Sequence, residues 1–228
     1  MNARANWREF PDAAALARAL ADAVAADLRA GMAARGRATL ALSGGATPRA
    51  FLRELSRREL DWSRVAVTLA DERWVAPDHA RSNERLLRET LLQGAAAAAH
   101  FVPLHRDVAA PEDAVAAIEA DVESWLPFDA VVLGMGLDGH TASLFPGGDA
   151  LAAALDPSGK SRVMPMRARA AGEPRLTLTL PTLVATRHMY LHIEGIDKRR
   201  VHESPDAQTP LASVLAAANA PVDVYWAP

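Results

Sequence analysis

The stretch FDAVVLGMGLDGHT, residues 128–141, decides how this chain reads. Its first six residues form a short apolar run closed by a glycine, the pattern of a strand buried on both faces. The run Gly134-Met135-Gly136-Leu137-Asp138-Gly139 then matches G-x-G-x-x-G. As a dinucleotide fingerprint it should open a long helix inside a βαβ unit of about 30 residues, with an acid about 20 residues further on. Pro146-Gly147-Gly148 stops any helix after about one turn, and no second strand ending in an acid follows. The glycines instead bend the backbone around a small ligand and present His140 at the sheet edge. A lone histidine is more often structural. Closing a glycine-rich loop after a strand, two residues beyond Asp138, His140 becomes a candidate general base, because imidazole titrates near about pH 6.5.

Working outward, the same alternation recurs. Leu16, Leu20, Val24, Leu28 and Met32 repeat every four residues and predict a helix over 12–33. RATLAL (37–42) and VAVTLA (65–70) read as buried strands, each followed by a helix, from about Pro48 and over 82–92 with Ser82 as N-cap. Further strands are expected near 100–104, 162–166, 175–180, 188–194 and 222–227, and further helices near 111–125, 197–203 and 208–218. Strands alternating with helices predict parallel βαβ units in a layered α/β fold. The stretches 146–160 and 167–174 are too short to divide the chain, so residues 1–228 are expected to form one domain.

Two more post-strand segments carry chemistry. Ser43-Gly44-Gly45-Ala46-Thr47-Pro48 joins a strand to a helix, with Thr47 suited to the N-cap and Pro48 to the first helical position. Free amides in such a turn, backed by the helix dipole, suit a phosphate. The segment lacks the Gly-Lys-Ser/Thr ending of a nucleotide P-loop, which points to a small sugar phosphate; the alternative is a plain strand–helix turn. Asp71-Glu72-Arg73-Trp74, with Arg81 downstream, lies where α/β sheets bind ligands, and Arg73 and Arg81 suit a phosphate or carboxylate. Taken alone, this segment reads as a solvated charged loop.

Composition narrows the function. The chain has 228 residues, a net charge of −3 and no cysteine. This excludes a thiolate metal site, a cysteine nucleophile and a disulfide scaffold, and offers nucleic acid no basic face. There is no H-E-x-x-H and no G-x-S-x-G elbow; His188 and His192 fall in a strand without a matching carboxylate, so no metal site is expected. No apolar run approaches the roughly 18 residues of a membrane span, and a cytoplasmic location is expected.

With these segments in order, the chain resembles the 6-phosphogluconolactonase family. The matching stretches are LALSGGATPRAFLREL, LADERWVAPDHARSNERLLRETLL and FDAVVLGMGLDGHTASLFPG, with PRLTLTLP and IEGIDKRRV near the C-terminus, and they span about residues 37 to 203. The resemblance implies a modified Rossmann-like three-layer α/β/α sandwich with a mostly parallel sheet. It implies hydrolysis of 6-phospho-D-glucono-1,5-lactone without metal or cofactor, by a monomer or weak homodimer whose partner is that small molecule. His140 would activate water, with Asp138 and Asp71 beside it in catalysis. Ser43, Gly44, Gly45 and Thr47 would hold the phosphate, and Arg73, Arg81, Arg175 and Lys198 would bind substrate or phosphate. Two alternatives stay open. One is an amino-sugar-phosphate deaminase or isomerase, although those carry a Glu where this chain has Phe145. The other is a sugar-phosphate-binding regulator, although the first 36 residues show no helix-turn-helix.

Overall fold

The computed structural model describes residues 5–204 and 208–228. In chain order the first half comprises β1 (Ala5–Glu9), α1 (Ala13–Arg35), β2 (Ala38–Leu42), α2 (Arg49–Ser56), β3 (Val65–Leu69), β4 (Asp71–Arg73), α3 (Asn83–Thr90), β5 (His100–Val102), α4 (Val115–Glu123) and β6 (Ala130–Leu133). The second half comprises α5 (Leu151–Ala154), β7 (Val163–Met166), β8 (Arg175–Leu178), α6 (Leu180–Val184), β9 (Met189–Glu194), α7 (Ile196–Glu203), α8 (Pro210–Ala217) and β10 (Val222–Ala227).

Seven strands form one sheet in the order β1-β10-β9-β6-β2-β3-β5, and every pairing in it is parallel. The continuous apolar runs explain this: β2, β3 and β6 are buried at every residue, which only a strand covered on both faces can be. Helix α1 buries Leu16, Leu20, Val24, Leu28 and Met32, the predicted stripe, and packs against α2 and against β2, β6 and β10. Asp12 caps its start and Gly36, in the left-handed region, ends it. The chain is thus an α/β protein built on a mostly parallel sheet.

One consequence of the strand order positions the site. β2 and β6 are neighbours, yet β2 continues through α2 to β3 on one side, whereas β6 continues toward β9 on the other. The connections diverge above the carboxyl ends of β2 and β6 and leave a crevice there, the place where open α/β sheets hold ligands.

Two departures from the sequence reading follow from long-range pairing. The segment after β3 is not a loop: Asp71–Arg73 is a strand, antiparallel to β8, which pairs in turn with β7 in a separate three-stranded sheet. The strands near 162–166 and 175–180 therefore belong to this antiparallel sheet and not to parallel βαβ units. The edge strand β1 and the short helices α5 and α6 were not expected; β1 is mostly solvent-facing and carries no apolar run.

At the opposite end of the sheet, His188 bridges Asp27 of α1 (3.0 Å) and Asp223 of β10 (3.3 Å). Burial pulls the imidazole down, but its bonds and charge interactions with Asp27 and Asp223 outweigh this and raise its pKa above the usual value. A raised folded-state pKa stabilises the fold below the ordinary histidine value, and the stabilisation is lost as pH rises through the raised value. The unfolding free energy measured by urea titration is therefore expected to fall from mildly acidic to alkaline pH, with a smaller fall in His188→Gln.

Candidate active site

The crevice is a cavity of about 420 Å³. Its wall takes residues from five segments of the chain. Ser43–Pro48 follow β2, Asp71 and Arg73 follow β3, Gly134, Met135, Gly136 and His140 follow β6, Arg175 opens β8, and Lys198 follows β9. His140 and the amides of residues 44–47 thus face one shared space.

The loop after β6 is built to aim the histidine. The Gly136 N–H donates to the His140 carbonyl (2.9 Å) and the Gly139 N–H to the Gly136 carbonyl (3.0 Å), so the chain turns back on itself. Gly139 has φ +76°, which a side chain would strain. Gly136 is needed for a different reason: a Cβ there would lie 2.3 Å from both Nδ1 and Cε1 of His140. On its other side the imidazole packs on Phe145, with ring centroids 4.4 Å apart.

Nδ1 of His140 lies 2.5 Å from Asp138 Oδ1. Burial pushes the Asp138 carboxyl up, but bonding to and charge interaction with His140 outweigh it, and its pKa is lowered. An ionised carboxylate only accepts, so Nδ1 carries the hydrogen and donates it. Nε2 then keeps its lone pair, the arrangement of a general base oriented by a carboxylate. Asp138 stands behind the histidine and does not line the cavity.

At the other end, Gly45 has φ +98° and lets the Ser43–Pro48 loop fold over the start of α2. Among the described residues, no hydrogen bond uses the N–H of Gly44, Gly45, Ala46 or Thr47. Thr47 was expected as the N-cap, and this is corrected. Pro48 occupies that position without any side-chain cap, and the Thr47 hydroxyl accepts from Lys198 Nζ at 3.1 Å. An ammonium can only donate, and Thr47 is the oxygen it reaches. Burial pushes the Lys198 ammonium down, opposed by the charge of Glu194. Uncommitted amides, a helix start and a half-buried cation are together groups that suit an anion.

Between these ends sits a buried polar wall. β4 pairs with β8 so that Arg73 lies opposite Arg175, which is how Arg175 reaches the cavity from a hundred residues away. Asp71 Oδ2 accepts from Ser143 Oγ at 2.6 Å, and Arg175 Nη1 lies 3.8 Å from the same oxygen. Burial pulls the Arg175 guanidinium down, with Asp71 opposing; its Nε has no hydrogen-bond partner. The Asp71–Trp74 segment is not a solvated loop. Glu72 is buried and accepts from the N–H groups of Arg73, Asn83 and Glu84 and from Ser82 Oγ. Burial pushes its pKa up to about 7, against the pull of those backbone donors. Arg81 does not join the wall. It is half-exposed, pairs with Glu173 at 3.0 Å and holds Arg73 through its own carbonyl. Sequence reasoning missed His192 and Asn83 at the cavity, and Ser143 buried behind Asp71.

Among the described residues, no group of three or more His, Asp or Glu is placed to hold a metal ion, and no helix is long and apolar enough to cross a membrane. A cavity above diverging parallel strands, with a carboxylate-oriented histidine facing free amides and a cation, has the make-up of a site for a small anionic ligand.

Residues 11–226 match the family described as glucosamine-6-phosphate isomerases/6-phosphogluconolactonase, and the chain belongs to it. Among its relatives, the 6-phosphogluconolactonase of Rhizobium meliloti (strain 1021) is 51% identical over 98% of this chain and 99% of its own length. That of Pseudomonas aeruginosa is 44% identical over 95% of this chain and 92% of its own. The crystal structure of a 6-phosphogluconolactonase from Shewanella baltica superposes with a TM-score of 0.94 at 38% identity, covering both chains completely.

Because His140 rests directly on Gly136, Gly136→Ala is expected to leave the fold intact yet displace the imidazole. The nitrogen resonances of His140 in NMR should then show loss of the Nδ1–H bond to Asp138. An unchanged spectrum would mean that the ring does not depend on this contact.

Proposed function

We infer that the chain hydrolyses 6-phospho-D-glucono-1,5-lactone to 6-phospho-D-gluconate, in the cytoplasm and without a metal or cofactor. The observation that carries this reading is the shared cavity, with a histidine held as a base at one end and an anion cradle at the other. The names of its relatives agree with it.

The phosphate is taken by the amides of Gly44, Gly45 and Thr47 with Lys198, which fixes the lactone ring across the cavity. Remote binding of this kind orients the reacting carbonyl without itself reacting. Nε2 of His140 accepts a proton from water as the water oxygen attacks the carbonyl carbon. The tetrahedral adduct collapses by breaking the bond to the ring oxygen, which takes the proton from His140. The products are the C5 hydroxyl and a carboxylate, with one proton released to solvent. Asp138 offsets the imidazolium charge while it lasts. Arg175 and Arg73 face the middle of the cavity and stabilise the developing oxyanion. Asp71, held by Ser143 and Arg175, positions Arg175 and accepts from a sugar hydroxyl.

Phe145 weighs against amino-sugar deamination, because an apolar ring packed on His140 supplies no carboxylate for ring opening.

Two outcomes are expected with freshly generated lactone, corrected for spontaneous hydrolysis. His140→Ala should lower kcat by about 10²- to 10⁴-fold with KM little changed. An unaltered kcat would remove His140 from the chemistry. Lys198→Ala should raise KM by about 10-fold or more, the usual worth of a bond to a charged group, with a smaller effect on kcat. A KM that stays put would move the phosphate elsewhere.

A further inference from the structure

His192 is a group that the reaction above leaves without a task. It lies on β9, facing the same side as Tyr190 and Glu194, and it lines the cavity although it is only 2% exposed. Its ring stands edge-on to Phe51 of α2, with centroids 6.1 Å apart at 87°. Nε2 lies 3.0 Å from Glu194 Oε1. Nδ1 is buried and has no hydrogen-bond partner. A buried polar atom left unpaired is costly, so its persistence in a cavity wall asks for a partner that arrives with the ligand.

The neighbouring charges say what kind of partner. Glu194, on the same strand, faces His192 and also bears on Lys198 of α7. β10 places Tyr225 in register with His192, α2 offers apolar Phe51, and β6 contributes apolar Val132 and Leu133 to the same wall. One carboxylate therefore stands behind two nitrogen groups, Lys198 and His192, at the end of the cavity where the amides of 44–47 converge. An entering dianion supplies the charge that lets both be cationic at once.

We propose that His192, oriented by Glu194, is a further contact to the phosphate of the ligand, donating from Nδ1 while Nε2–H is held by Glu194. This rests on the phosphosugar reading of the cavity. The imidazole takes up a proton from solvent as the phosphate binds, and no covalent bond changes. The contact belongs to binding and not to turnover, so its loss falls on KM.

Isothermal titration with 6-phosphogluconate, near neutral pH in two buffers of different ionisation enthalpy, tests this. The wild-type protein should bind with net proton uptake relative to His192→Gln. That variant should bind about 10-fold or more weakly, and its kcat should be kept while KM rises. Glu194→Gln, at a partly exposed position, should keep the fold and lose most of the uptake; it carries the test if His192→Gln does not fold. Wild-type affinity together with wild-type proton uptake in either folded variant would overturn the role of His192. Failure of the folded wild-type protein to bind either 6-phosphogluconate or inorganic phosphate is a different result. It would overturn the phosphosugar reading of the cavity, and this proposal with it.

Discussion

The site depends on two parallel strands lying side by side while the chain leaves them in opposite directions. The register that sets Leu40 opposite Ala130 and Leu42 opposite Val132 brings residues 43–48 and 134–140 to the same edge, although ninety residues separate them. Hydrogen bonds that cross between strands finish the arrangement: the Ser43 N–H donates to the Val132 carbonyl at 2.9 Å, and the Ala70 N–H to the Leu42 carbonyl at 2.8 Å. The loops thus leave from a rigid floor. Functional loops need such a floor, because backbone flexibility there would enter directly into the distance between a base and a bound phosphate.

Charge is divided along the cavity in a way that separates tasks. The acid partnered with the histidine, Asp138, lies behind the ring and outside the wall, where it fixes the tautomer without repelling an anionic ligand. Cations line the interior. Each is tied to an acceptor that is not the ligand: Lys198 to Thr47, Arg175 to Asp71 and the Ala171 carbonyl, Arg73 to the Arg81 carbonyl. These bonds hold long side chains in place before a ligand arrives, which lowers the entropy lost on binding.

The parts of this design that were legible in the sequence are those written in contiguous residues. β2, β3 and β6 are apolar runs, and Ser82 caps α3 as its position predicts, its side-chain oxygen accepting from the Arg85 N–H. Gly136, Asp138, Gly139 and His140 lie within five residues, so local chemistry sufficed to single them out. What stayed hidden depends on partners far away. Thr47 has the composition of a cap, but its hydroxyl is claimed by Lys198, 151 residues distant. Asp71-Glu72-Arg73 looks like a charged loop because its strand partner is β8. His192 sits in a strand whose pattern says only that it is buried; that its ring reaches a cavity follows from α2 packing above it.

A lactone ester needs little from a catalyst, and the site reflects this. The carbonyl is already electrophilic and the leaving oxygen remains tethered as a hydroxyl of the same molecule, so neither a covalent intermediate nor a strong Lewis acid is required by the chemistry. What remains is to hold a water between a base and a carbonyl, and to hold the carbonyl still. On the reading proposed above, the first task falls on a ring gripped between Gly136 and Phe145 and on one carboxylate. On the same reading, the second falls on groups at the far end of the cavity, away from the reacting atoms. The same glycine-rich loop that brings His140 to the sheet edge would serve other reactions if Phe145 were an acid. The apolar ring therefore does two things at once: it packs against the histidine and, on the proposed reading, withholds a second proton donor from the reacting centre.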